Sequence, residues 1–148
     1  MRVYARESVV RATPEQVFRY SASRVGFCEQ FPYQVKWLDG PEYWDKGDIL
    51  DFSYRVCGVW LRHRAEVIHY QQDRLFVDRM LEGMYGFFKH THEFEPVEEG
   101  VRVRDTVEFS LGVGDLIDRT IGMITLDRAF NLRHQALKRV DFEQLKEQ

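Results

Sequence analysis

The sequence predicts an α+β domain: a curved antiparallel sheet of about seven strands around a long C-terminal helix, with two short helices after the first strand. Three observations carry this. Residues 2–11 and most of 34–111 alternate apolar and polar side chains with a period of two. Short turns at Gly40-Pro41, Lys46-Gly47-Asp48, Gly58 and Gln71-Gln72-Asp73 join these runs, so neighbouring strands should run antiparallel. After Gly112-Val113-Gly114 the apolar spacing lengthens to that of a helix and stays so to the end of the chain.

The first strand, 2–11, is followed by Thr13-Pro14-Glu15-Gln16. Thr13 can cap a helix, Pro14 suits its first position, and Gln16 can reach back to close a capping box. A second short helix over 24–30 should end at Phe31, because Pro32 disfavours helix in the residue before it. Strands are expected at 34–39, 48–56, 59–69 and 74–81, then a hairpin of 86–96 and 101–111 around Val97-Glu98-Glu99-Gly100. Asp115 is a candidate cap for a final helix over 115–144, with Asp118 in its first turn. Met123, Leu126, Phe130, Leu137 and Val140 form its apolar stripe, which only the sheet can cover, and Gly122 is a point where it can bend.

Composition narrows the function. With 148 residues, 44% of them hydrophobic, the chain can bury one sizeable core as a single domain. A net charge of −3 with mixed signs and no basic block argues against nucleic acid as a partner. No apolar run approaches the ~18 residues of a membrane span, and the N-terminus lacks a signal-peptide core, so a cytoplasmic location is expected. Cys28 and Cys57 lack metal-site spacing and are expected to be small core residues in a reducing compartment.

The element order resembles the helix-grip fold of the START and Bet v 1-like superfamily, also called SRPBCC, and in particular its bacterial polyketide-cyclase-like branch. The residues that carry the resemblance are Val10, Ala12, Pro14, Val17, Phe18 and Pro32; Phe76, Asp78 and Gly83 leading into His90-Thr91-His92-Glu93-Phe94; Asp105, Val107 and Phe109; and Phe130 and Arg133. The likeness spans essentially the whole chain, with His-x-His-x-Phe followed by Asp105 as its most specific part. The chain departs from the pattern at His63, where a tryptophan is expected, and at Leu111-Gly112-Val113-Gly114, where a proline often stands. The resemblance implies an apolar cavity between sheet and C-terminal helix. It implies no single reaction, and neither a cofactor nor a resident metal.

Residues two apart in a strand share a face, so His90, His92 and Phe94 should point together. The expected hairpin register sets Phe94 opposite Val103, His92 opposite Asp105 and His90 opposite Val107. A one-residue slip would bury Lys89, Glu93, Arg102, Arg104 and Glu108. Two histidines and a carboxylate therefore face inward, with Tyr54 and His63 further across the same face. Arg133, on the helix, is a candidate to anchor Asp105 or a ligand carboxylate. Met80 and Met123 are candidate cavity lining, alongside Phe130; Trp37, Trp44 and Trp60 are candidates for a lipid-contacting rim.

Four roles are open to the His–Asp group: hydrogen-bond satisfaction, ligand orientation, proton transfer by His90, His92 and Asp105, or metal binding. The corresponding functions are a binder or carrier of a lipid, quinone, isoprenoid or polyketide-like molecule; a cyclase or dehydratase; and a protein-interaction module. The first is expected, because the apolar faces of sheet and helix are wide and the polar groups few. Oligomeric state is not legible.

Overall fold

The computed structural model describes residues 1–145. Strand β1 (Arg2–Val10) leads into helices α1 (Pro14–Ser21) and α2 (Arg24–Gln30). Strands β2 (Val35–Asp39), β3 (Ile49–Val56), β4 (Val59–Gln71), β5 (Leu75–Glu82), β6 (Phe87–Val97) and β7 (Gly100–Ser110) follow. The chain then turns helical in α3 (Asp115–Ile117), a π turn (Asp118–Gly122), α4 (Met123–Lys138) and α5 (Phe142–Leu145). All seven strands form one sheet in the order β1-β7-β6-β5-β4-β3-β2, every pair antiparallel. Register shifts within β2 and β4 mark bulges, which bend strands and increase their twist.

Local chemistry accounts for these elements. Thr13 and Gln16 make the reciprocal capping box that starts α1, with Pro14 at its first turn. The β3–β4 turn uses Cys57 and Gly58 at φ 51° and 80°, the left-handed pair that a two-residue hairpin requires. Cys57 is therefore exposed at a turn, not a core residue, because turn geometry decides its place; Cys28 is half-buried. The β6–β7 hairpin is tighter than expected: Val97 pairs with Gly100, leaving only Glu98 and Glu99 as loop, yet the register is the expected one.

The C-terminal helix is less regular than its apolar spacing suggests. Gly114, not Asp115, occupies the cap position, and Asp115 instead grips Arg2 at 2.7 Å. The π turn ends at Gly122, which lies against β7: a Cβ there would sit 2.7 Å from Phe109 Cε2. Buried Asp118 accepts the Leu111 N–H at 2.8 Å and ties the turn to the end of the sheet. Residues 139–141 interrupt the helix before α5, and the expected helix end at 144 falls there.

Two apolar clusters fill the space between sheet and helices. One gathers α1 and Leu137 over Phe76, Phe94, Val101 and Val103. The other gathers Leu126 and Phe130 of α4 over Tyr4, Val107 and Phe109. The inward series of β7 passes from Val103 through Asp105 to Val107, so a charged residue stands where the two clusters meet.

Gly122→Ala is expected to cost about 1–3 kcal/mol through overpacking against Phe109. Chemical denaturation measures it, and a parent-like midpoint would mean that the π turn shifts freely.

Candidate functional site

Asp105 is fully buried and is the centre of the polar group. One oxygen, Oδ1, accepts Arg133 NH1 at 2.5 Å and His90 Nε2 at 2.8 Å. The other, Oδ2, accepts His134 Nε2 at 2.6 Å, and the hydroxyl of Ser8 bonds His134 Nδ1 at 2.6 Å. His92 faces Asp105 across the strands at 3.6 Å, but its Nε2 donates instead to Asp78 Oδ2 on β5, at 2.8 Å. Each histidine of the His-x-His pair thus donates diagonally to a carboxylate on a neighbouring strand. The two rings stack with centroids 3.6 Å apart, and Phe76 stacks on the far side of His92 at 4.0 Å.

Arg133 uses its whole fork. Nε donates to Gln30 Oε1 at 3.1 Å, NH1 to Asp105, and NH2 approaches His92 Nδ1 at 3.4 Å. This last contact fits a His92 that carries its proton on Nε2 and a lone pair on Nδ1. Burial holds His92 down to about 4, with His90 and Arg133 pushing the same way against the pull of Asp78. Burial alone would raise Asp105, but the Arg133 charge and the bonds from His134 and His90 hold it well below 3.8. Burial likewise lowers His63.

Beside this group lies a cavity of ≈130 Å³ between the sheet, the α2–β2 segment and α4. Its walls are mostly rings and aliphatic carbons: Phe27, Phe31, Trp44, Leu50, Phe52, Phe76, Tyr85, Phe88, Leu126 and Phe130. The charged and imidazole side chains on the wall are Asp78, His63, His90, His92 and Arg133.

Of the ligand-binding candidates read from the sequence, His63, His90, His92, Phe130 and Arg133 line this cavity. Asp105 lies behind the two histidines, outside the lining. Tyr54, Met80 and Met123 are also outside it: Tyr54 stacks on Tyr33, Met80 packs under Gly83, and Met123 joins the cluster around Phe109. Among the tryptophans, Trp44 is buried in the cavity wall with Trp37 stacked on it, and Trp60 is on the exposed outer face.

Sequence reasoning passed over His134, Ser8 and Gln30 and noted Asp78 only as part of a pattern. Two signals were available. His134 falls on the stripe of Leu126, Phe130 and Leu137, and Asp78 is two residues from Phe76 on the inward face.

Asp78, His90 and His92 could each offer one ligand atom to a metal, all within 4.8 Å of one another. The Arg133 guanidinium, however, stands 3.4–3.5 Å from both rings, so a dication would meet a fixed positive charge there.

A helix laid across an antiparallel sheet, with a ring-lined hollow between them, defines the helix-grip class. No known family model and no curated protein matches the chain. Solved structures do. Protein CV1439 from Chromobacterium violaceum superposes with a TM-score of 0.77 at 14% identity, over 93% of this chain and 96% of that one. The di-domain ARO/CYC StfQ from the steffimycin biosynthetic pathway gives 0.76 at 14% identity, over 97% of this chain and 51% of its own. Ara h 8.0201 gives 0.61 at 10% identity, over 93% and 99%. The chain has the fold of the Bet v 1-like, SRPBCC proteins. Among the described residues no helix is long and apolar enough to cross a membrane.

Two outcomes follow from the buried charges. Asp105→Asn leaves Arg133 buried without its counter-charge and is expected to cost about 3–5 kcal/mol, with partial recovery in an Asp105→Asn/Arg133→Met double variant. Denaturation of the four proteins measures the coupling.

For pH, the folded values of His92 and His63 lie below 6.5, so the unfolded chain takes up protons first. Their stabilisation is present above pH 6.5 and is lost as pH falls, for His92 down to about 4. Asp105 adds a further loss below the ordinary carboxylate value. His92→Gln should flatten the slope of unfolding free energy between pH 6.5 and 4 by about 1.4 kcal/mol per unit. An unchanged slope would show that His92 is already charged in the folded protein.

Proposed function

We propose that this protein binds and carries a hydrophobic small molecule, a lipid, quinone, isoprenoid or polyketide-like compound, without transforming it. The observation that carries this reading is the cavity itself: ring-lined, bounded by α4, with only a few charged or imidazole groups on its wall. Apolar pockets with a small number of placed polar groups are the usual form of small-molecule sites. The likeness in fold to the ARO/CYC protein StfQ of the steffimycin biosynthetic pathway and to Ara h 8.0201 is consistent with it. The partnering of His90 and His92 by carboxylates gives them an orienting role toward the ligand, with Asp105 and Arg133 behind them as the fixed support. Two unpaired cysteines support a cytoplasmic location.

A second reading is a cyclase or dehydratase using His90, His92 and Asp105. It is favoured by one feature: the Asp105 carboxylate bridges His90 at the cavity to His134 and Ser8, a path along which a proton could pass. In this reading Asp105 acts through His90.

Native mass spectrometry of gently purified protein, followed by organic extraction, should recover a bound apolar molecule. Ala129→Trp, which fills the cavity from α4, should remove it while leaving the fold intact. Full retention of the molecule by that variant would overturn the assignment of this cavity as its site.

A further inference from the structure

We infer that His63 is the ligand's hydrogen-bond partner and that the cavity selects a neutral hydroxylated ring over a carboxylic acid. This rests on the reading that the cavity takes an apolar molecule.

The inward series of β4 is apolar apart from this residue: Ala65 and Val67 follow it into the core. His63 is only 8% exposed and lines the cavity, between the rings of Phe52 at 5.3 Å and Phe88 at 5.6 Å. Yet no hydrogen bond engages it among the described residues. A phenylalanine or leucine would fill the same space without desolvating two ring nitrogens. The neighbouring imidazoles and amide are engaged: His90 through Nε2 with Asp105, His92 with Asp78, and Gln30 with Arg133 and Ser21. Of the three imidazoles on the wall, His63 is the one with neither ring nitrogen engaged by another described residue; the hydroxyls of Tyr85 and Thr125 share that wall.

The charge around the cavity decides what kind of group that is. Arg133 is the one cation on the lining, and its guanidinium is spent on Asp105, Gln30 and His92. A ligand carboxylate would find no free positive charge and would face Asp78. Burial keeps His63 uncharged near neutral pH, so it offers one N–H and one lone pair. A hydroxyl can satisfy either nitrogen and brings no charge. The rings of Phe52 and Phe88 on both sides favour a flat aromatic body next to that hydroxyl.

The test uses three probes, 2-naphthol, 2-methylnaphthalene and 2-naphthoate, titrated at pH 7 against the parent, His63→Phe and His63→Gln by intrinsic fluorescence. The parent should bind 2-naphthol about tenfold more tightly than 2-methylnaphthalene, the factor one net hydrogen bond confers, and 2-naphthoate most weakly. His63→Phe should erase the preference for 2-naphthol and keep 2-methylnaphthalene binding; His63→Gln should retain part of it. Equal binding of 2-naphthol and 2-methylnaphthalene by the parent, a preference that survives His63→Phe, or tight binding of 2-naphthoate would overturn the inference and leave the apolar-ligand reading standing. If none of the three bound the parent, that reading would fall as well.

Discussion

The carboxylate of Asp105 is the point on which the interior depends. It is wholly buried, and a bare carboxylate there would be expensive. Arg133, His90 and His134 make it tolerable, and they come from two elements of the chain's later half: β6 for His90, α4 for the other two. The same bonds that satisfy the charge therefore fix how α4 lies across the sheet. Hydrophobic contact is non-directional and would accept several helix positions; a guanidinium on a carboxylate accepts few.

A second consequence is a core in two parts. Inward residues on β5, β6, β7 and α4 run apolar, then polar, then apolar along each element: Phe94 to His92 and His90 to Phe88, and Val103 to Asp105 to Val107. The polar residues align into a band across the sheet because the antiparallel register brings them together. Side chains held by directional bonds cannot relax to close a gap, whereas aliphatic side chains can, so the hollow beside the band is a natural companion of it. The π turn contributes at the other end, where Gly122 lets the helix approach Phe109 closely.

Much of this was legible in advance, for identifiable reasons. Alternation over β6 and β7 admits one register, because slipping it by one residue would turn Lys89, Glu93, Arg102 and Arg104 into the core; that register survived even though the hairpin loop proved shorter. Thr13 through Gln16 carries its own cap chemistry and needs no tertiary context. Partner choice was less accessible. His92 stands opposite Asp105 yet bonds Asp78, since side-chain reach is set by ring orientation and not by register alone. His134 was hidden beside Arg133, where a polar residue on a helical stripe reads as a break in the pattern.

The sequence by itself determined which faces turn inward, where the strands fall and that turn-joined neighbours run antiparallel, and the presence of two histidines and an aspartate on the buried side, because period and turn chemistry are local properties. The tertiary structure decided which donors each carboxylate receives, that Arg133 is consumed inside the protein, that Asp105 supports the cavity from behind, and that His63 has no hydrogen-bond partner among the described residues. Those facts depend on distances between residues up to 126 positions apart, as between Ser8 and His134, which no local pattern encodes.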